Sequence, residues 1–181
     1  MLLTPFEGDR FLFAEIVRLC AVHKIKTIVE TGTQYGSTTR ALALLADQVV
    51  TVEMASFSVF GLPPNVLPLH MDSPEALRMV LPDIARPALF YLDAHGPDKT
   101  PLLEELSVLT KQVLFDCPIV IHDFQVPGKD FGFDQYGDQT VNLKFISEVI
   151  SPLINAGFSI VYNSQVEGAR RGACFLIPKK E

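Results

Sequence analysis

The chain has 181 residues, of which 48% are apolar and 20% charged, a balance that supports one buried core and excludes wholesale disorder. Its formal net charge is −6 with no basic stripe, which argues against a protein built to grip nucleic acid. Cys20, Cys117 and Cys174 are scattered in apolar surroundings without CxxC or Cys/His spacing, so they read as reduced core thiols of a cytoplasmic protein and not as a zinc site.

The opening MLLTPFEGDRFLF lacks the basic start and long apolar run of a signal peptide, and no later segment reaches the roughly 20 apolar residues that span a bilayer. Over Asp9–His23, Phe11, Phe13, Ile16, Val17 and Cys20 recur at helical spacing. Thr27–Glu30 is a short apolar strand, followed by a glycine turn and a helix over Ser37–Ala46. Val49–Glu53 and Val66–His70 are the next strands, and Ser73–Leu81 is a helix with Ser73 as N-cap and Pro74 at its first position. Strand Ala88–Asp93 precedes a helix over Thr100–Val113, opened in the same way by Thr100 and Pro101. Strand Pro118–His122 is followed by an aperiodic stretch, Phe124–Asp138, and by a helix over Gln139–Ala156. The last two strands, Phe158–Tyr162 and Ala173–Ile177, flank Asn163–Arg171, a link too short for a helix, and should pair as an antiparallel hairpin. This alternation predicts an α/β fold: a seven-stranded, mostly parallel sheet with helices on both faces, in one domain over residues 1–181.

The strongest local signal runs from Ile28 to Thr39, where an apolar strand passes through Glu30-Thr-Gly-Thr-Gln-Tyr-Gly36 into a helix. Gly32 and Gly36 let the backbone turn sharply and let a ligand approach the main chain at the carboxyl end of a strand, where open α/β sheets bind ligands. Gln34 and Ser37 stand where GxGxxG would place its later glycines, so the turn is not a dinucleotide fingerprint. It has no lysine for a phosphate-binding GxxxxGK(S/T) loop. Glu53, closing the second strand beside the turn, can accept both hydroxyls of a ribose. Glu30 ends an apolar strand, where a bare charge is costly, and this points to a cationic or hydrogen-bonding ligand.

Two more clusters follow apolar strands, Tyr91-Leu-Asp-Ala-His-Gly96 and Val120-Ile-His-Asp-Phe124. They bring Asp93, His95, His122 and Asp123 to one sheet edge. Two carboxylates and two imidazoles there can act as acid and base or bind a divalent ion such as Mg2+, which prefers oxygen ligands and keeps several waters. Phe124–Asp138 carries Phe131, Phe133 and Tyr136 among glycines. It reads either as a lid over an acceptor or as a surface loop whose aromatics pack on the core. Arg170 and Arg171 read as a solvated hairpin turn.

Taken in order, the glycine turn, Glu53, the Asp72–Ser73 pair after the third strand and the terminal hairpin resemble the class I S-adenosylmethionine-dependent methyltransferases over nearly the whole chain. The resemblance implies a Rossmann-like sheet in the order 3-2-1-4-5-7-6 and S-adenosyl-L-methionine as cofactor. Glu30, Gly32 and Gly36, with Thr33, Tyr35 and Ser37 of the same turn, would line its methionine and ribose portion. Glu53 would hold the ribose hydroxyls, Asp72 and Ser73 would lie near the adenine, and Asp93 would face the sulfonium. The strand-end acids look like those of the metal-dependent O-methyltransferases of the catechol, caffeoyl-CoA and macrocin kind, which makes Asp93 and Asp123 the expected metal ligands. Phe124 stands where the catechol and caffeoyl-CoA enzymes place an asparagine ligand, so either His95 or His122 completes the site or the site works without metal. The implied reaction is methyl transfer to a hydroxyl of a small-molecule acceptor, with Asp93, His95, His122 and Asp123 as the catalytic set. The acceptor pocket is left to the N-terminal helix, the Phe124–Asp138 loop or a partner subunit of a homodimer. The rival readings are a non-catalytic cofactor-binding scaffold and a sugar or natural-product tailoring enzyme on the same fold.

Overall fold

The computed structural model of the chain describes residues 4–55, 61–96, 98–112 and 116–179. In chain order its elements are a turn over Pro5–Gly8, α1 (Arg10–His23), β1 (Thr27–Thr31), α2 (Ser37–Leu42), β2 (Gln48–Glu53), β3 (Val66–His70), α3 (Ser73–Val80) and β4 (Ala88–Leu92). There follow α4 (Leu102–Lys111), β5 (Ile119–Ile121), β6 (Gln135–Tyr136), β7 (Gln139–Thr140), α5 (Leu143–Asn155), β8 (Ser159–Tyr162) and β9 (Cys174–Ile177). Seven strands form one sheet in the order β3-β2-β1-β4-β5-β9-β8, parallel except for β9, which runs antiparallel to both β5 and β8. Setting aside the small β6–β7 hairpin, this is the expected 3-2-1-4-5-7-6 order with its terminal hairpin. Among the described residues, no helix is long and apolar enough to cross a membrane.

Side chains alternate across each strand, and the sheet sorts them into two cores. Ile28, Val49, Leu89, Tyr91, Val120 and Phe175 face α1 and α2, meeting Leu12, Ile16, Leu19 and Leu42. Val29, Val50, Val52, Phe90, Leu92, Ile119 and Ile121 face the other way, onto Leu77 of α3, Leu106 of α4 and Ile146 and Ile150 of α5. From β1 the chain moves outward to β2 and β3, then returns to lay β4 and β5 on the opposite side of β1. The carboxyl ends of β1 and β4 therefore flank the topological switch point, where such sheets open a crevice.

Several element boundaries differ from the sequence reading. The last helix starts at Leu143 and not at Gln139. Gln139 and Thr140 pair instead with Tyr136 and Gln135, and Asn142 caps the helix by accepting the Phe145 amide at 3.0 Å. The α3 N-cap is Asp72, with Ser73 already inside the helix, and α2 stops at Leu42, short of Ala46. α4 starts at Leu102 with Pro101 as its N-cap, not at Thr100, although the Thr100 hydroxyl accepts the Leu102 amide at 3.2 Å. The expected end of that helix at Val113 lies outside the described residues. Pro68 interrupts no interior ladder because, among the described residues, β3 is an edge strand paired with β2 alone.

Candidate active site

β1 ends at Thr31 and the chain turns at Gly32 with φ at +86°. A Cβ there would stand 2.2 Å from the carbonyl oxygen of Asp93. The bare glycine thus lets the turn after β1 abut the end of β4 backbone to backbone, putting Asp93 beside the turn. Glu53 ties the same turn to the end of β2, accepting the Gln34 amide on one carboxylate oxygen and the Ala55 amide on the other, each at 2.9 Å. Around these residues opens a cleft of about 1280 Å³. Gly32, Thr33, Tyr35, Ser37, Glu53, Asp72, Ser73, Asp93, His95 and Asp123, all anticipated in the sequence, line it. So do Glu7, Thr38, Met54 and Met71, which were not. Acidic groups beside apolar thioethers suit a cationic nucleoside with a flat base.

Glu30 and Gly36 do not line the cleft. Glu30 lies fully buried beneath the turn, where one carboxylate oxygen accepts the hydroxyls of Thr39 and Thr51, both at 2.6 Å. Thr51 in turn takes the hydroxyl of Thr33 at 2.6 Å. The carboxyl therefore ties α2, β2 and the turn together and touches no ligand space. Burial pushes its pKa from 4.5 up to about 8, outweighing the two threonine hydroxyls that favour the ion. Because the folded state holds this proton more tightly, the stability it contributes is full below pH 4.5 and is lost as pH rises through 8. Glu30→Gln should flatten that loss. Denaturant unfolding at low and high pH should show the wild type losing roughly 3–5 kcal/mol more than the variant. Equal losses would mean that Glu30 is not the titrating group.

The second half of the site follows from strand register. Leu92 of β4 pairs with Ile121 of β5, so the next residues, Asp93 and His122, emerge side by side. His122 Nδ1 meets Asp93 Oδ1 at 2.9 Å, and His95 Nε2 lies 3.3 Å from both Asp93 Oδ1 and Asp123 Oδ2. Asp123 is held in a left-handed conformation (φ +55°), unusual away from glycine and characteristic of functional sites. All four predicted catalytic residues are thus brought together. Burial raises the pKa of both aspartates, but the histidine charges and hydrogen bonds outweigh it and hold the carboxyls below their ordinary range. The carboxylates, chiefly Asp123, push His95 up to about 12, and for the buried His122 their pull overcomes burial and raises it too.

Several partners in this cluster were missed. Asp134, in the aperiodic Phe124–Asp138 stretch, lies 2.7 Å from His95 Nδ1, and the Tyr136 hydroxyl donates to Asp134 at 3.0 Å. The stretch is no free lid: Phe124 and Phe131 are buried, and the Asp134 amide is bonded to the Asp123 carbonyl at 2.9 Å. Arg171, expected to be solvated, donates from Nε to Asp123 and from Nη2 to Asp134. Glu105 of α4 is buried, held by hydrogen bonds from Ser73 and Thr31, and burial pushes it from 4.5 up to about 7. Its signal was a carboxylate on a helix face shared with Leu102, Leu106 and Leu109. The Pro5–Gly8 turn closes the near side. Phe6 packs edge-on to Tyr91 with centroids 5.7 Å apart, and its amide bonds Thr38 at 3.0 Å, which brings Glu7 to the cleft.

The resemblance makes Asp93 and Asp123 the ligands of a divalent metal or leaves the site to work without one. Asp93, His95 and Asp123 do offer ligand atoms within 4.8 Å of one another. Asp123 is already engaged, however. It carries the Arg171 guanidinium, and imidazole nitrogens lie against both aspartates. An ion on Asp123 would have to displace a permanent cation or share the carboxylate with it, so the set as built does not fit a resident divalent metal.

No protein-family profile matches the chain, and no curated protein matches it. Among solved structures it is similar to a proposed caffeoyl-CoA O-methyltransferase from Staphylococcus aureus, with a TM-score of 0.65 and 16% identity over 93% of this chain and 84% of that one. The O-methyltransferase TomG from Streptomyces achromogenes, in complex with S-adenosylmethionine and involved in tomaymycin synthesis, superposes with a TM-score of 0.63 and 15% identity, over 93% and 80% of the two chains. Precorrin 8W decarboxylase from Methanobacterium thermoautotrophicum gives 0.59 and 16%, over 92% and 89%. At these identities the likeness is one of architecture: the chain has the Rossmann-like fold of the S-adenosylmethionine-dependent methyltransferases, a fold that also serves a decarboxylase.

Proposed function

We propose that the chain transfers the methyl group of S-adenosylmethionine to a hydroxyl of a small-molecule acceptor. The observation that carries this reading is the direct abutment of two sites at the switch point. The glycine turn and Glu53 open the nucleoside-sized cleft, and Asp93, whose backbone touches Gly32, belongs equally to the acid–histidine cluster. When bound, the cofactor supplies a methyl group already activated by its sulfonium. What remains for the protein is alignment, exclusion of water and removal of the acceptor's proton.

Of the residues lining the cleft, Glu53 would hold the ribose hydroxyls, Thr33, Tyr35 and Ser37 the methionine portion, and Asp72 and Ser73 the adenine, with Asp93 on the sulfonium side. His122 is buried behind Asp93 and orients its carboxylate, whereas His95 is half-exposed at the cleft and is the ring that can meet an acceptor hydroxyl. Because Asp123 and Asp93 hold His95 protonated, it takes a proton only after losing its own. Turnover should therefore climb with pH above neutrality. The test is transfer of labelled methyl from S-adenosylmethionine to a panel of catechol, phenol and sugar hydroxyls between about pH 7 and 9. A methylated product whose rate rises with pH is expected, and His95→Asn should remove the rise. Binding of the cofactor without transfer to any hydroxyl would favour the scaffold reading instead.

A further inference from the structure

We propose that Arg171 occupies the place of a divalent cation at the acidic strand tips, so that the chain positions its acceptor without a metal. The proposal rests on the methyl-transfer reading, but it stands on its own geometry. Asp93, His95 and Asp123 converge as closely as metal ligands do, with donor atoms within 4.8 Å. A convergence of carboxylates needs positive charge, and here a side chain already supplies it. The Arg171 guanidinium bridges Asp123 and Asp134, two carboxylates that approach the cluster from different segments. A planar fork that joins two acids makes an electrostatic link of the kind an ion makes, and it holds its charge at any working pH.

Arg171 is also built in, not draped over the surface. Its neighbour Gly172 donates its amide to the Gly132 carbonyl, and Gly132 donates to the Arg170 carbonyl, both at 2.8 Å. The Arg171 carbonyl accepts from Asn163 Nδ2 at 3.2 Å. The side-chain stem runs over Gly132, where a Cβ would come within 3.1 Å of Arg171 Cδ, so the loop leaves room for this side chain. Asp123 and Asp134 each give an oxygen to this guanidinium. A dication on Asp123 would have to share that carboxylate with a fixed cation.

The test is Mn2+ binding to the full chain, followed by electron paramagnetic resonance and calorimetry, with S-adenosylhomocysteine affinity measured on the same samples. The wild type should show no saturable Mn2+ site. Arg171→Ala should gain one, at least about tenfold tighter than any wild-type binding, because the competing charge is gone. Adding Asp123→Asn should abolish the gained site, and Arg171→Lys should keep it closed. Should Arg171→Ala fail to fold, Arg171→Gln of similar length is read in its place, and if neither folds the wild-type arm decides. Saturable Mn2+ binding to the wild type that Asp123→Asn removes would overturn the proposal, as would a folded neutral variant that binds Mn2+ no better than the wild type. A wild type that fails to bind S-adenosylhomocysteine would sink the methyl-transfer reading while leaving the Mn2+ comparison intact.

Discussion

Asp93→Ala should lower turnover with S-adenosylmethionine by at least about two orders of magnitude, the usual loss when general-base catalysis is removed, because Asp93 holds both rings of the cluster. One carboxylate oxygen of Asp93 meets both His122 at 2.9 Å and His95 at 3.3 Å, at the seam between cleft and cluster. Removing it leaves the buried His122 with Asp123 at 3.5 Å and takes one of three carboxylates from His95, which keeps Asp123 and Asp134. The expected signature is a loss in kcat with S-adenosylhomocysteine binding still measurable, because Glu53 and the glycine turn are untouched. Asp93→Asn preserves volume and separates chemistry from packing: it should fold like the wild type and still lose most of the rate. Near-normal turnover in either variant would remove Asp93 from the mechanism.

Gly32→Ala should be strongly damaging to both stability and cofactor binding. Its Cβ would stand 2.2 Å from the Asp93 oxygen and 2.7 Å from the Asp93 carbonyl carbon, both of which are backbone atoms at the end of a central strand and have nowhere to go. The residue would also be held at φ +86°. Left-handed strain and overpacking together suggest roughly 3–5 kcal/mol of destabilisation, together with loss of cofactor binding as the turn lifts from β4. Gly137→Ala makes the control. It shares a positive φ (+60°) but would meet nothing within 4 Å, so it should cost only about 1–2 kcal/mol. Denaturant unfolding of the two variants measures the contrast. If Gly32→Ala is no worse than Gly137→Ala, the close packing of turn on strand is not what holds the site.

The sheet and the four catalytic candidates were readable because Asp93 and His122 directly follow apolar strands, with His95 and Asp123 close behind, and strand ends in a parallel sheet collect at one edge. Register then put Asp93 next to His122 with no further information. Glu30 was misplaced at the cleft although the pattern held the answer: two-residue alternation puts it on the face of Ile28, toward α2, where Thr39 receives it. Arg171 was unreadable for a different reason. Its partners, Asp123 and Asp134, lie 48 and 37 residues away and meet it only because β9 inserts beside β5, a neighbour choice that no local spacing encodes. Asp134 and Tyr136 sit in a stretch without periodicity, ordered by contacts with Asp123 and β7 and not by propensity of their own. The late start of α5 is a simpler miss, since Asn142 is a good N-cap that was passed over in favour of Gln139.

Titration of the wild-type chain with S-adenosylhomocysteine in a calorimeter decides whether the switch-point crevice holds a sulfur nucleoside. One equivalent should bind with a Kd on the order of micromolar, and Glu53→Ala should weaken it by about tenfold or more as the ribose loses its acceptor. Absence of heat with both S-adenosylhomocysteine and S-adenosylmethionine, or displacement of neither by a competitor that does bind the cleft, would contradict the assignment.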